Sequence, residues 1–190
     1  MKKLIFALIA GATAMAAAQA QEIAPHAYIG AGVASADHNY SLPGATNVSS
    51  DGYKASGKVF AGYDFNQTWG VETGYTDFRK SHADYTMNGT TGRAESNGHS
   101  FYVAGKATAP INDQFSIYGK VGAANNKRTL TATDPVLNRD VNKTELYAGV
   151  GAEYKLNQNV GLIAEYERYG KSKDFGAKAD VLTVGAKYNF

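Results

Sequence analysis

The chain has no cysteine and only four prolines among its 190 residues. Without cysteine there is no disulfide framework and no thiolate metal site. A large excess of one charge is also missing, with 19 basic against 17 acidic side chains. Lys2 and Lys3 account for the whole difference, and without them the balance is 17 to 17. A nucleic-acid-binding surface needs a strong basic excess, so no nucleic-acid partner is expected. Beyond residue 20 there is no long apolar run, which excludes a membrane domain built of helices. What is abundant is glycine, with 21 residues, and tyrosine, with 13.

The first 20 residues read as an export signal. Lys2 and Lys3 form a basic start, Leu4 to Ala18 an apolar stretch shorter than a bilayer span, and Ala18-Gln19-Ala20 the small-x-small pattern of a cleavage site. No cysteine follows, so a lipoprotein anchor is not expected. Cleavage leaves 21–190 as one domain.

That domain divides into eight segments in which apolar residues alternate with others, the period of a strand with two different faces. The spans are 26–36, 56–66, 68–79, 98–108, 114–124, 143–155, 159–169 and 179–190. In the last, Leu182, Val184, Ala186, Tyr188 and Phe190 oppose Val181, Thr183, Gly185, Lys187 and Asn189. In the sixth, Leu146, Ala148, Val150, Ala152 and Tyr154 oppose Glu145, Tyr147, Gly149, Gly151 and Glu153. One face is consistently apolar; the other mixes glycine with Glu, Lys and Tyr. A soluble barrel turns its apolar face inward, and a membrane barrel inverts that order. The export signal and the aromatic residues near strand ends (Phe65, Trp69, Phe115, Tyr154, Tyr188) favour inversion. The expected fold is all-β: an eight-stranded antiparallel up-and-down transmembrane β-barrel in a bacterial outer membrane. Connections alternate short and long. The short ones, at Gln67, Ala109 to Asp113 and Leu156 to Gln158, are expected on the periplasmic side, and the long ones outside.

With these residues placed, the chain resembles the transmembrane domain of outer membrane protein A and its small relatives. The resemblance covers nearly all of 21–190. It is strongest at Trp69-Gly-Val-Glu-Thr-Gly-Tyr75, Pro110-Ile-Asn-Asp-Gln-Phe-Ser-Ile-Tyr118, Gly149 to Tyr166 and the ending Leu182 to Phe190. Relatives often carry a peptidoglycan-binding domain after the barrel; the sequence given stops at Phe190, and cell-wall tethering is not carried over. The resemblance implies that Val184, Ala186, Tyr188 and Phe190 form an assembly signal read by the barrel insertion machinery.

The inward face is expected to hold a charge network of Lys58, Glu72, Lys106, Lys120, Glu145, Glu153, Glu165 and Lys187. Charges in a filled lumen must be paired, because lone burial is costly. The resemblance implies a sharper use as well: a gate in which Lys106 exchanges between Glu72 and Glu153. Ile163 stands where the family carries an arginine to pair with the Glu72 position, which leaves Glu72 in need of another partner, Lys58 or Lys187.

No cofactor or metal is expected, since no metal-ligand cluster is present. The four histidines, His26, His38, His82 and His99, do not assemble with a nucleophile and an orienting acid as a catalytic triad requires. His99-Ser100 points to opposite faces, and His82-Ala-Asp84 is an isolated match. The expected role is therefore non-enzymatic, in envelope integrity and surface contacts, with a narrow pore as the alternative and an envelope-modifying enzyme after it. Residues 37–55, 80–97 and 125–142, rich in Asn, Ser, Thr and Gly, are expected as solvated loops open to an extracellular ligand. Lys127, Arg128 and Arg139 are candidates for lipopolysaccharide phosphates, opposed by Asp134 and Asp140. The partners expected are outer-membrane lipids, lipopolysaccharide and the insertion machinery, for a monomer.

Overall fold

The computed structural model describes residues 24–40, 46–50, 54–87, 90–134, 138–170 and 175–190. The export signal expected at 1–20 lies outside the described residues. Among the described residues nine strands run β1 (His26–Tyr40), β2 (Thr46–Ser50), β3 (Lys54–Asp64), β4 (Trp69–Met87), β5 (Thr90–Pro110), β6 (Phe115–Ala132), β7 (Arg139–Lys155), β8 (Val160–Tyr169) and β9 (Phe175–Asn189). All pair antiparallel. Pairing of β1 with β9 at one seam and of β4 with β5 at the other closes the sheet into an eight-stranded barrel. Closure gives every stave a partner on each side, which is what a bilayer without water to bond stray N–H groups demands. β2 is not a stave; among the described residues it pairs with the upper part of β4.

The alternation in sequence becomes an inside and an outside. Ile29, Val33, Val59, Val71, Val103, Val121, Val150, Leu182 and Val184 are exposed, whereas Lys58, Glu72, Lys120 and Glu165 are buried. The lipid-facing runs Phe115–Ala123 and Leu146–Tyr154 are nine residues each, close to the about nine to eleven that a tilted membrane strand needs. Above them the outward positions turn polar at Asp77, His99, Asn125, Thr144, Arg168 and Asp180. That row marks the outer edge of the membrane belt. Phe65, Trp69, Phe115, Tyr154, Tyr188 and Phe190 form the aromatic girdle at the other edge.

Inward glycines make room for inward tyrosines. A Cβ at Gly62 would lie 2.2 Å from the Tyr28 ring, at Gly74 2.6 Å from Tyr102, and at Gly151 2.6 Å from Tyr118. Glycine on one strand is thus the socket for an aromatic ring on another, which accounts for the joint abundance of the two residue types.

The three short turns are copies of one design: Phe65-Asn-Gln-Thr-Trp69, Ile111-Asn-Asp-Gln-Phe115 and Leu156-Asn-Gln-Asn-Val160. In each, the first N–H donates to the carbonyl four residues on, at 2.8, 2.9 and 2.8 Å. The Oδ1 of Asn66, Asn112 and Asn157 accepts from the N–H groups two and three residues later, at 2.8 to 3.0 Å. An Asx side chain here does what backbone pairing cannot do at a reversal.

At the opposite end the structure corrects the sequence reading. Residues 80–97 and 125–142, expected as solvated loops, continue largely as β4, β5, β6 and β7, paired up to Met87↔Thr90 and Leu130↔Arg139. Of 37–55, Thr46–Ser50 is strand β2. Together these strands form a wall above the belt. It has its own inner core of Ala83, Tyr85, Ala94 and Leu130, with Ala132 and Val141 packed against it. The polar composition that suggested loops belongs to the outward face of this wall; the inward face keeps the two-residue alternation.

Candidate functional site

The densest chemistry lies at mid-barrel. Lys58 on β3 and Lys120 on β6 face Glu72 on β4 and Glu165 and Glu167 on β8, all buried. Lys120 Nζ lies 2.8 Å from Glu72 and 2.7 Å from Glu165. Lys58 Nζ pairs with Glu165 and lies 2.7 Å from Glu167. Phenols complete the shells of the carboxylates. Tyr28 and Tyr102 donate to Glu72 at 2.9 and 2.5 Å, and Tyr118 donates to Glu165 at 2.7 Å. Tyr147, Tyr169 and Thr183 converge on Glu167 at 2.5, 3.1 and 2.7 Å. Tyr102 stacks on Tyr147 with ring centroids 4.3 Å apart. Two cations and three carboxylates are interlocked here, every one hydrogen-bonded, which is the condition under which buried charge is tolerated.

A second layer lies toward the short turns. Lys106 Nζ is 2.7 Å from Asp64, and Lys187 Nζ is 2.6 Å from Glu153. Both ammonium groups sit over the Tyr28 ring, at 4.1 and 4.7 Å from its centroid. His26 Nε2 stands 3.7 Å from Asp64 at the mouth. Among the described residues, Glu153 Oε1 and Asn189 Oδ1 are buried without a hydrogen-bond partner.

Seven of the eight residues assigned to the lumen from sequence are buried: Lys58, Glu72, Lys106, Lys120, Glu153, Glu165 and Lys187. Glu145 stands apart, half-buried near the outer rim and 3.4 Å from Asn126 Nδ2. The pairings differ from those expected. Glu72 is met by Lys120 rather than Lys58 or Lys187. Lys106 pairs with Asp64, and Glu153 with Lys187, so Lys106 bridges neither carboxylate of the expected exchange. Strand tilt causes this, since it sets side chains level that the flat alternation places apart. Sequence reasoning missed Asp64 and Glu167, although each shares the inward parity of Lys58 or Glu165 two or more positions away. It set Tyr118 and Tyr147 on the inward face but gave none of the five phenols a place in the network. Their signal was the excess of tyrosine opposite glycine.

Arg128 is a further correction: it is buried and points inward, because Lys127 beside it takes the outward position. Arg139 begins β7, and its side chain lies outside the described residues, as does that of His38. His82 Nε2 is 3.2 Å from Glu95 on the outer wall. The His99 ring lies against Tyr75, with centroids 5.6 Å apart. No cluster of three or more metal-binding side chains occurs among the described residues. Of the final strand, Val184, Tyr188 and Phe190 are exposed on the lipid face with Ala186. The Phe190 N–H donates to Ala27 O at 3.0 Å, and its ring meets Tyr188 edge-on.

Residues 4–190 match the family model described as outer membrane protein beta-barrel domain. A protein of Coxiella burnetii, described as uncharacterised, is 27% identical over 168 residues, covering 71% of this chain and 68% of that protein. Among solved structures, the outer membrane protein OprG of Pseudomonas aeruginosa aligns with a TM-score of 0.60 at 18% identity, over 88% of this chain and 96% of that one. Ail, the attachment invasion locus protein of Yersinia pestis, aligns at 0.56 and 22%, over 88% and 100%. At these identities the likeness to OprG and Ail is one of fold.

Proposed function

This chain belongs to the outer membrane protein beta-barrel domain family and resides in the bacterial outer membrane, and from that premise we propose that it is a structural, non-catalytic barrel. It contributes to envelope integrity and holds its outer wall toward surface partners. The observation that carries this reading is the interlocked centre. Lys58 on β3, Glu72 on β4, Lys120 on β6 and Glu165 and Glu167 on β8 lock four strands together with tyrosine rings, which suits a stiff plug better than a passage. The wall above the belt has its own core, which suits the presentation of a fixed surface. Lipids, the insertion machinery at the Phe190 end and a ligand on the wall are the partners this reading names.

A narrow pore is the second reading. It is supported by the two unpartnered acceptors in the lower lumen, Glu153 Oε1 and Asn189 Oδ1, sites where water or a passing cation would be held. A deletion strain scored for detergent sensitivity tests the first reading; restoration by the intact chain is the expected outcome. Planar-bilayer recording separates the two. Steady unitary conductance from the purified barrel would overturn the plugged reading.

A further inference from the structure

The geometry points to a site for the phosphorylated glycolipid of the outer leaflet on the lipid-facing side of β4–β6, carried by Arg79 and Lys127. The inference deepens the partner reading above and rests on the wall being the cell-surface side.

The argument begins with a bulge. Phe78 pairs with Gly98 and Ser81 with Ser96, so three steps on β4 match two on β5. Phe78 and Ser81 both remain buried, and the two residues between them, Arg79 and Lys80, are both exposed. A regular strand would have sent one of them into the lumen; the bulge gives both to the outside. Their height is set by the belt. Tyr75 and Phe101 are paired and exposed on the lipid face, and they are the last aromatic residues before Asp77 and His99 turn the surface polar. Arg79 lies just above that row. Headgroup phosphates of the outer leaflet occupy this level of any barrel with this girdle.

The neighbouring strands supply the second cation. His99 pairs with Lys127 on β6, and Lys127 is exposed. Arg79 and Lys127 thus flank β5 on one face, with backbones about 10 Å apart across two strand spacings. Long side chains from both sides converge over that gap or take one phosphate each. Three outward cations of the wall are paired with carboxylates: Lys80 with Glu95 at 2.7 Å, Arg93 with Asp84 at 3.0 Å and Arg168 with Asp180 at 3.2 Å. Arg79 and Lys127 have no carboxylate within salt-bridge distance among the described residues. On β4–β6 this row carries the carboxylate of Asp77, opposite His99, and it tempers the patch without pairing with either cation. Guanidinium and ammonium groups beside an aromatic rim fit a phosphate monoester on an acylated sugar better than a neutral headgroup.

The test uses the purified full barrel in detergent micelles, with bisphosphorylated lipid A, its enzymatically dephosphorylated form and phosphatidylglycerol as probes, and binding read by native mass spectrometry. The intact chain is expected to retain the bisphosphorylated form preferentially. Arg79→Gln with Lys127→Gln is expected to weaken that binding by roughly tenfold to thirtyfold, and Lys155→Gln, at the periplasmic end, to leave it unchanged. Both altered residues are exposed, and heat-modifiable migration verifies that the variant is folded. Unchanged binding by the folded double variant would overturn the site. Equal binding of the dephosphorylated form would overturn phosphate recognition, and equal binding of phosphatidylglycerol would overturn the glycolipid assignment. None of these results bears on the detergent-sensitivity test of the barrel's structural role, so the two failures are distinguishable.

Discussion

Lys120 on β6 reaches over β5 to Glu72 on β4, its Nζ 2.8 Å from Oε1, and the same ammonium lies 2.7 Å from Glu165 on β8. One side chain therefore ties three staves through groups that are all buried. Replacing Lys120 by Met would leave Glu72 without its cation and Glu165 with Lys58 alone, at a cost of about 3–5 kcal/mol. Unfolding by urea in lipid vesicles, followed through the single tryptophan, Trp69, measures it. Adding Glu72→Gln is expected to recover part of the loss, because one stranded charge is then gone. A Lys120→Met barrel as stable as the parent would show that the centre is not a mechanical link.

The glycines divide by what surrounds them, and that division predicts opposite outcomes for one chemical change. A Cβ on Gly122 would lie 2.0 Å from Val103 O and 2.6 Å from the Ala104 Cα, both backbone atoms of the paired strand. Gly122→Ala must push β5 and β6 apart and is expected to cost about 1–3 kcal/mol. A Cβ on Gly57 meets nothing within 4 Å on the outward face, so Gly57→Ala is expected within about 0.5 kcal/mol of the parent. Urea midpoints of the two variants, measured side by side, decide it.

The alternation of single residues made the inward charges legible, and it did so for a physical reason: each stave has only two faces, and a bilayer accepts only one of them. Lys58, Glu72 and Glu165 followed from parity alone. Their partners did not. Which lysine meets Glu72 depends on strand tilt and on the relative height of staves distant in sequence, such as β4 and β6, and no local pattern encodes that height. The outer wall was hidden by composition. Thr129, Thr131, Asn97 and Arg93 look like loop residues because their face meets water, while Ala83, Ala94 and Leu130, which reveal the strand, are spread thinly among them. The bulge at Arg79 and Lys80 was invisible because it breaks the very period by which strands are recognised.

Outside the membrane, Glu95 on the wall accepts from Lys80 and lies beside His82. The hydrogen bond and charge of Lys80 hold the Glu95 carboxyl below the ordinary glutamate value, which is about 4.3. With the folded value depressed, the pairing contributes fully above about pH 4.3 and is lost as pH falls through the lower folded value. The pair is exposed, so its contribution is small. A carboxyl-carbon NMR titration should place the midpoint of Glu95 below about 4.3 and move it upward in Lys80→Ala. A midpoint indifferent to Lys80 would exclude the pairing in solution.

Phe190 separates stability from assembly. Its N–H donates to Ala27 O at 3.0 Å, and its ring rests on Tyr188 with centroids 5.2 Å apart, so it seals the lower end of the β1–β9 seam. Deleting it removes one backbone hydrogen bond, a loss of about 1 kcal/mol, and one exposed ring at the lipid interface. Neither loss unfolds a closed barrel whose β1–β9 ladder pairs from Tyr28↔Asn189 up to Ala36↔Val181. If Phe190 with Tyr188, Ala186 and Val184 is what the insertion machinery reads, the deletion should lower the yield of barrel in the outer membrane of living cells. The purified variant should still refold in vesicles with near-parental heat-modifiable migration. Equal loss in cells and in vesicles would make Phe190 a stability residue alone, and normal yield in cells would remove the assembly signal.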